Sequence, residues 1–209
     1  MMFCPELHRL VRRGTLHTFP FDSARLPLNG IYVLFERGEE CHDGNRIVRV
    51  GTHTGDRQLR SRMLQHFVNE NKDRSIFRKN IGRALLNRDR DPYLGEWEHD
   101  RTSRADRARF GEEADPAKRQ AVEADVTMYL RECFSFVVFR VDDKSERLNL
   151  ESKIISTVSR CEQCRPSGGW LGLRSPKDRI RESGLWLVNE LYKEPLSATD
   201  VERLRMLVV

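Results

Sequence analysis

The chain's 209 residues suffice for one domain with a real core and some elaboration, and 33% of them are charged, with a formal net charge of +5. Mean hydropathy is −0.64, no stretch nears the ~18 apolar residues of a membrane span, and Met1–Glu6 lacks the basic start and apolar run of a signal peptide, so a soluble cytoplasmic protein with no membrane partner is expected. The five cysteines (Cys4, Cys41, Cys133, Cys161, Cys164) are odd in number and scattered, which argues against a secreted disulfide framework, while the mildly basic balance suits a phosphate backbone without requiring one.

Residues 1–28 carry Leu7, Leu10 and Val11 at helical spacing and then Pro20 and Pro27, an N-terminal elaboration ahead of the first strand. Gly30–Glu36 and Arg46–Gly51 are rich in strand formers, and Gly38, Asp43, Gly44 and Asn45 between them predict a hairpin. Asp56 is placed to cap a helix whose buried stripe is Leu59, Met63 and Phe67, with Arg62 and His66 together on an adjacent face. An inserted region, about 68–133, is predicted helical at both ends. Its first helix sets Ile76, Phe77, Ile81, Ala84 and Leu85 against a polar side of Arg74, Arg78, Lys79 and Arg83, and its second spans Pro116–Glu132. Between them Asn87–Glu113 is crowded with charges of both signs and is expected to be mobile. Phe134–Val141 reads as a central strand, followed by a helix from near Asn149 with Leu150, Ile154 and Val158 inward. Gly168–Gly172 lacks the strand, helix and lysine of a phosphate loop and is expected to be a tight turn with Trp170 against the core. Further helices are predicted to start at Ser175-Pro176 and near Thr199-Asp200.

Four short pieces stand in a set order: Gly30-Ile31-Tyr32, then Arg46-Ile47-Val48-Arg49-Val50-Gly51, then Arg62-x-x-x-His66, then Glu151 within Leu-Glu-Ser-Lys-Ile-Ile. Each is common by itself, but the ordered set over residues 29–160 resembles the GIY-YIG nucleases. The resemblance implies an α/β (α+β) fold, with a small core of a β-hairpin plus a third strand flanked by helices, here carrying a helical insertion and N- and C-terminal helical elaborations. It divides the chain into an N-terminal extension (1–28), the nuclease-like domain (29–193) and a C-terminal helix (194–209).

Phosphodiester hydrolysis needs a group to deprotonate water, a cation to hold the phosphate, and stabilisation of charge on the leaving oxygen. Matched to the family's motifs, Tyr32 would activate or orient the water, and Arg62 would hold the phosphate through its planar fork. His66 would share that contact or relay a proton, and Glu151 would bind Mg²⁺ or Mn²⁺, which is commonly held by one carboxylate plus substrate oxygens and waters. The second motif departs from the family: Arg49 replaces its tyrosine, and strand alternation predicts that Arg49 and Gly51 share a face beside Tyr32. Many members also carry an asparagine beyond the glutamate helix, whereas the matching stretch, Pro166–Trp170, has none. His53, just past the second strand, is a further possible site residue. Cys161-x-x-Cys164 alone does not make a structural zinc site, since four ligands are needed and no second pair stands at metal spacing.

The resulting expectation is a metal-dependent endonuclease acting on DNA, with RNA also open as substrate. Arg74, Arg78, Lys79 and Arg83, with Arg174, Lys177, Arg179 and Arg181, would track the phosphate backbone outside the site. The alternatives are a degenerate module that binds nucleic acid without cutting it, and a protein-interaction domain that keeps the fold.

Overall fold

Alternation along one strand organises the molecule. In β2 (Gly30–Glu40), Ile31, Val33 and Phe35 point to one side of the sheet while Tyr32 and Leu34 point to the other, and all five are buried. Both faces must therefore be covered, and helices cover them. In this computed structural model, which describes residues 3–100, 102–111 and 115–208, the elements run α1 (Cys4–Val11), β1 (His17–Thr18), β2, β3 (Asn45–Gly51), α2 (Leu59–Phe67), α3 (Ile76–Arg88), α4 (Leu94–Trp97), α5 (Arg104–Phe110), α6 (Pro116–Cys133), β4 (Phe134–Arg140), α7 (Lys144–Ser159), α8 (Asp178–Ser183) and α9 (Ala198–Leu207).

The sheet is antiparallel in the order β1-β4-β2-β3. Its first face packs α1, α7 and α9 through Leu7, Leu150, Ile154, Val158, Val201 and Leu204. The second packs α2, α3 and α6 through Met63, Phe67, Phe77, Ile81, Val126 and Leu130. Each such buried side chain contributes about 1.5–3 kcal/mol of transfer free energy. This is a mixed α/β fold with helical elaborations around a small sheet, as expected, and the run from Phe134 forms a central strand. No helix among the described residues is long and apolar enough to cross a membrane.

Local differences from the sequence reading have local causes. β1 pairs only His17 with Phe136 and Thr18 with Ser135, too short a stretch to leave a periodic signal. Asp56 does not cap α2; it accepts a hydrogen bond from Asn29 Nδ2 at 2.8 Å. α7 begins at Lys144, because Asp143 caps it by accepting from the Glu146 backbone N–H at 2.7 Å. Ser175 likewise turns the chain before α8, while Ser197 and Asp200 form a reciprocal capping box at α9. Of the charged stretch 87–113, residues 101, 112 and 113 lie outside the described residues. Elsewhere in it α4 and α5 form, and Trp97 is fully buried against Gly82, with its indole N–H donating to the Lys79 carbonyl at 3.0 Å.

The largest correction concerns α3. Its basic side is not a solvated face: Arg78, Lys79 and Arg83 are buried, leaving only Arg74 of that group exposed. Arg78 donates to the Glu123 carboxylate of α6 at 2.7 Å, to Thr127 Oγ1 at 2.7 Å and to the His66 carbonyl at 3.0 Å. Lys79 donates to the Glu98 carbonyl at 2.7 Å, and Arg83 to the Glu98 carboxylate at 2.6 Å. Charges that look solvated in one amphipathic segment are internal because distant acids compensate them. Arg78→Ala should therefore destabilise the fold by about 3–5 kcal/mol, stranding Glu123 without its partner. Chemical denaturation checks this, and a loss below about 1 kcal/mol would place Arg78 among surface pairs.

Candidate active site

Gly51 makes room for the residue at the centre of the site. It pairs with Tyr32 across the hairpin, and a Cβ at Gly51 would lie 2.2 Å from the tyrosine oxygen and 2.3 Å from Cζ. The phenol thus lies across bare backbone, a placement that any larger residue at position 51 would block. Tyr32 Oη is 2.9 Å from His66 Nε2, and His66 Nδ1 is 2.8 Å from Ser75 Oγ. Ser75 is also the N-cap of α3, its hydroxyl accepting from the Arg78 N–H at 3.3 Å. A buried chain Tyr32–His66–Ser75 results. Burial, reinforced by the charges of Arg49, Arg62 and Arg78, holds His66 well below the usual imidazole range, so it is neutral at pH 7, with one ring nitrogen donating and the other accepting.

Arg49 sits where alternation predicts, on the Tyr32 side of β3 opposite Leu34. One nitrogen donates to the Trp186 carbonyl, and the guanidinium lies 4.8 Å from the centre of the Phe77 ring. Arg62 projects from α2 and donates to Gln65 Oε1 and the Arg74 carbonyl, each at 3.2 Å. The Nε atoms of both arginines are buried with no hydrogen-bond partner, an arrangement that ordinarily costs about 1–3 kcal/mol per group. Donors left unspent in this way suit an incoming anion.

Glu151 projects from α7, which packs on β3, and its carboxylate accepts the Thr52 backbone N–H. Burial pushes its pKa up to about 7, with Glu190 adding to the rise while Arg49, the Thr52 N–H and Arg62 oppose it. Glu151 lines a cavity of about 410 Å³ together with Arg49, Asn80, Asn189 and Glu190. A second cavity of about 480 Å³ is lined by Arg62, His53, Asp73 and Arg74. The oxygen donors around Glu151 fit a hard divalent cation such as Mg²⁺, which takes one or two carboxylates and retains waters.

The structure therefore brings Tyr32, His66, Arg49, Arg62 and Glu151 to one end of the hairpin. His53 lies beside them, but Gly55 O is 2.7 Å from its Nδ1 and the Gly30 N–H donates to its Nε2 at 3.4 Å, so both nitrogens hold the loop. Arg174 and Lys177 are exposed on the segment leading into α8, and within α8 Arg179 is exposed and Arg181 half-buried. Ser75, Thr52 and Asn189 were not singled out in the sequence. Of these only Ser75 left a signal, as a capping residue directly before the apolar start of α3.

A GIY-YIG domain family model matches residues 7–208, nearly the whole chain. The chain belongs to the GIY-YIG family. No curated protein and no solved structure matches it significantly. In GIY-YIG terms, the first motif delivers Tyr32, the glycine of the second makes room for it, and the α2 histidine meets its hydroxyl.

Proposed function

We propose that this GIY-YIG domain is a metal-dependent endonuclease that hydrolyses phosphodiester bonds in DNA. The supporting observation is the convergence of a buried tyrosine–histidine–serine chain with two arginines, each holding an unspent buried donor, next to a carboxylate poised near neutrality. Tyr32 Oη donates to neutral His66 Nε2 and accepts from the attacking water, orienting it, while Ser75 accepts from His66 Nδ1–H and fixes that tautomer; the water's proton ends on the departing sugar oxygen. The water oxygen bonds phosphorus, and the sugar oxygen leaves. Arg62 and Arg49 hold the phosphate through their free N–H groups and stabilise its growing negative charge. Mg²⁺ or Mn²⁺, held by Glu151 with the side-chain oxygen of Asn189, would neutralise charge on the phosphate and the leaving oxygen. Asn189 fills the role for which Pro166–Trp170 offers no asparagine. Arg74, Arg174 and Lys177, being exposed, position the backbone of the nucleic acid.

The near-complete burial of Tyr32, together with Arg49 in place of the motif tyrosine, favours one other reading: a domain that binds nucleic acid without cutting it. Incubation of supercoiled plasmid with the protein in Mg²⁺ and in a chelator separates the two. The endonuclease nicks or linearises the plasmid only with metal. Salt-dependent binding with intact plasmid under both conditions would establish the binding module instead.

A further inference from the structure

At the far end of the hairpin, away from Tyr32, three segments remote in sequence bring thiols and imidazoles together. Cys4 opens α1, Cys41 and His42 lie at the β2–β3 turn, and Cys161 and Cys164 follow α7. The ligand atoms of Cys4, His8, His42 and Cys164 all lie within 4.8 Å of one another. Cys164 Sγ is the hub, 3.5 Å from Cys4 Sγ, 3.3 Å from Cys41 Sγ and 3.4 Å from His42 Nε2. These separations are far longer than the ~2.05 Å of a disulfide. They are close to the roughly 3.5–3.8 Å edges of a tetrahedron built on zinc–sulfur and zinc–nitrogen bonds.

The surroundings point the same way. The turn is a two-residue hairpin loop in which His42 and Asp43 both take left-handed backbone angles, with φ of 50° and 59°. Glycine or asparagine is the usual occupant of such positions, so a histidine held there is strained and needs compensation. Its ring nitrogen faces Cys161 and Cys164, each at 3.4 Å. His8 closes the group, with Nδ1 3.6 Å from Cys4 Sγ and Nε2 3.9 Å from Cys164 Sγ, while Cys41 Sγ borders it, 3.2 Å from His8 Nε2. Buried thiols are weak hydrogen-bonding groups and gain little from one another, whereas sulfur and imidazole together are the donor set that zinc prefers.

We propose that Cys4, His8, His42 and Cys164 bind one zinc ion that staples α1, the hairpin turn and the segment after α7 to one another. The site lies at the opposite end of the hairpin from Tyr32 and is independent of the catalytic reading. Its ligands come from three places in the chain and meet only in the folded protein, so zinc binding adds to folding stability and holds the sheet face that α1 covers.

Elemental analysis of protein produced with zinc in the medium and purified under reducing conditions should find about one zinc per chain. Cobalt substitution of the parent protein should give the absorption of a tetrahedral thiolate site. Cys164→Ser and His42→Ala should reduce zinc to background, while Cys133→Ser, remote from the cluster, should retain it. Chelation should lower the parent's melting temperature and leave that of Cys164→Ser unchanged. Parent protein that is folded but metal-free, takes up no cobalt, and shows either a Cys4–Cys164 disulfide or freely titrating thiols would overturn the site. The cobalt measurement needs no variant, so misfolding of a substituted protein does not leave the question open.

Discussion

Tyr32→Phe should abolish most cleavage, by roughly 10²–10⁴-fold, while leaving DNA binding and the fold in place. The ring still fills the space over Gly51, so the packing of β2 against β3 survives. What disappears is the oxygen 2.9 Å from His66 Nε2, and with it the group that orients the attacking water. Stability should fall by only about 1–3 kcal/mol, the cost of leaving one buried polar atom unpartnered. Kinetics and DNA binding measured on the same preparation decide the matter. Undiminished cleavage would remove Tyr32 from the chemistry and leave its contact with His66 as a packing feature.

Glu151→Gln should have the second large effect, and its two halves run in opposite directions. Cleavage in Mg²⁺ should be lost while DNA binding persists. In metal-free buffer above pH 7, however, the variant should be more stable than the parent. Burial raises the folded-state pKa of Glu151 from its ordinary 4.5 to about 7, so over that window the native state holds a proton the unfolded chain has released. Stability contributed at this position is therefore full below about 4.5, falls as pH rises, and levels off above about 7. A shift of this size costs up to about 3 kcal/mol, of which the glutamine should recover about 1–3. Because a bound cation requires the carboxylate, Mg²⁺ affinity should rise about tenfold per pH unit below 7 and then flatten. Melting curves of both proteins against pH, with and without Mg²⁺, test this. Equal stability of the two proteins at every pH would mean that Glu151 is well solvated.

The parts of this fold that a sequence displays are those with a local period. The strand formers of Gly30–Glu36, the stripe Leu59, Met63 and Phe67, and the apolar run from Phe134 each announce an element, because the signal is complete within a few residues. Tyr32, Arg62, His66 and Glu151 were legible through their order along the chain. Arg78, Lys79 and Arg83 misled for a physical reason: a charge looks solvated until its counter-charge is known, and Glu123 and Glu98 come from other segments. Ser75 as the partner of His66, Trp186 as the carbonyl under Arg49, and Asn189 beside Glu151 are contributed by loops and caps that carry no period. Nor does any motif spacing join Cys4, His42 and Cys164, which meet only once the hairpin has folded.

The central claim is that Tyr32, His66, Arg49 and Arg62 form one centre with a cation held by Glu151. Anomalous scattering from crystals soaked in Mn²⁺ tests it most directly. The account predicts a single strong peak in the cavity between α7 and β3, about 2.0–2.2 Å from a Glu151 carboxylate oxygen, which disappears in crystals of Glu151→Gln. A cleavage-competent protein whose manganese peak lies away from Glu151, or persists in the glutamine variant, would contradict it.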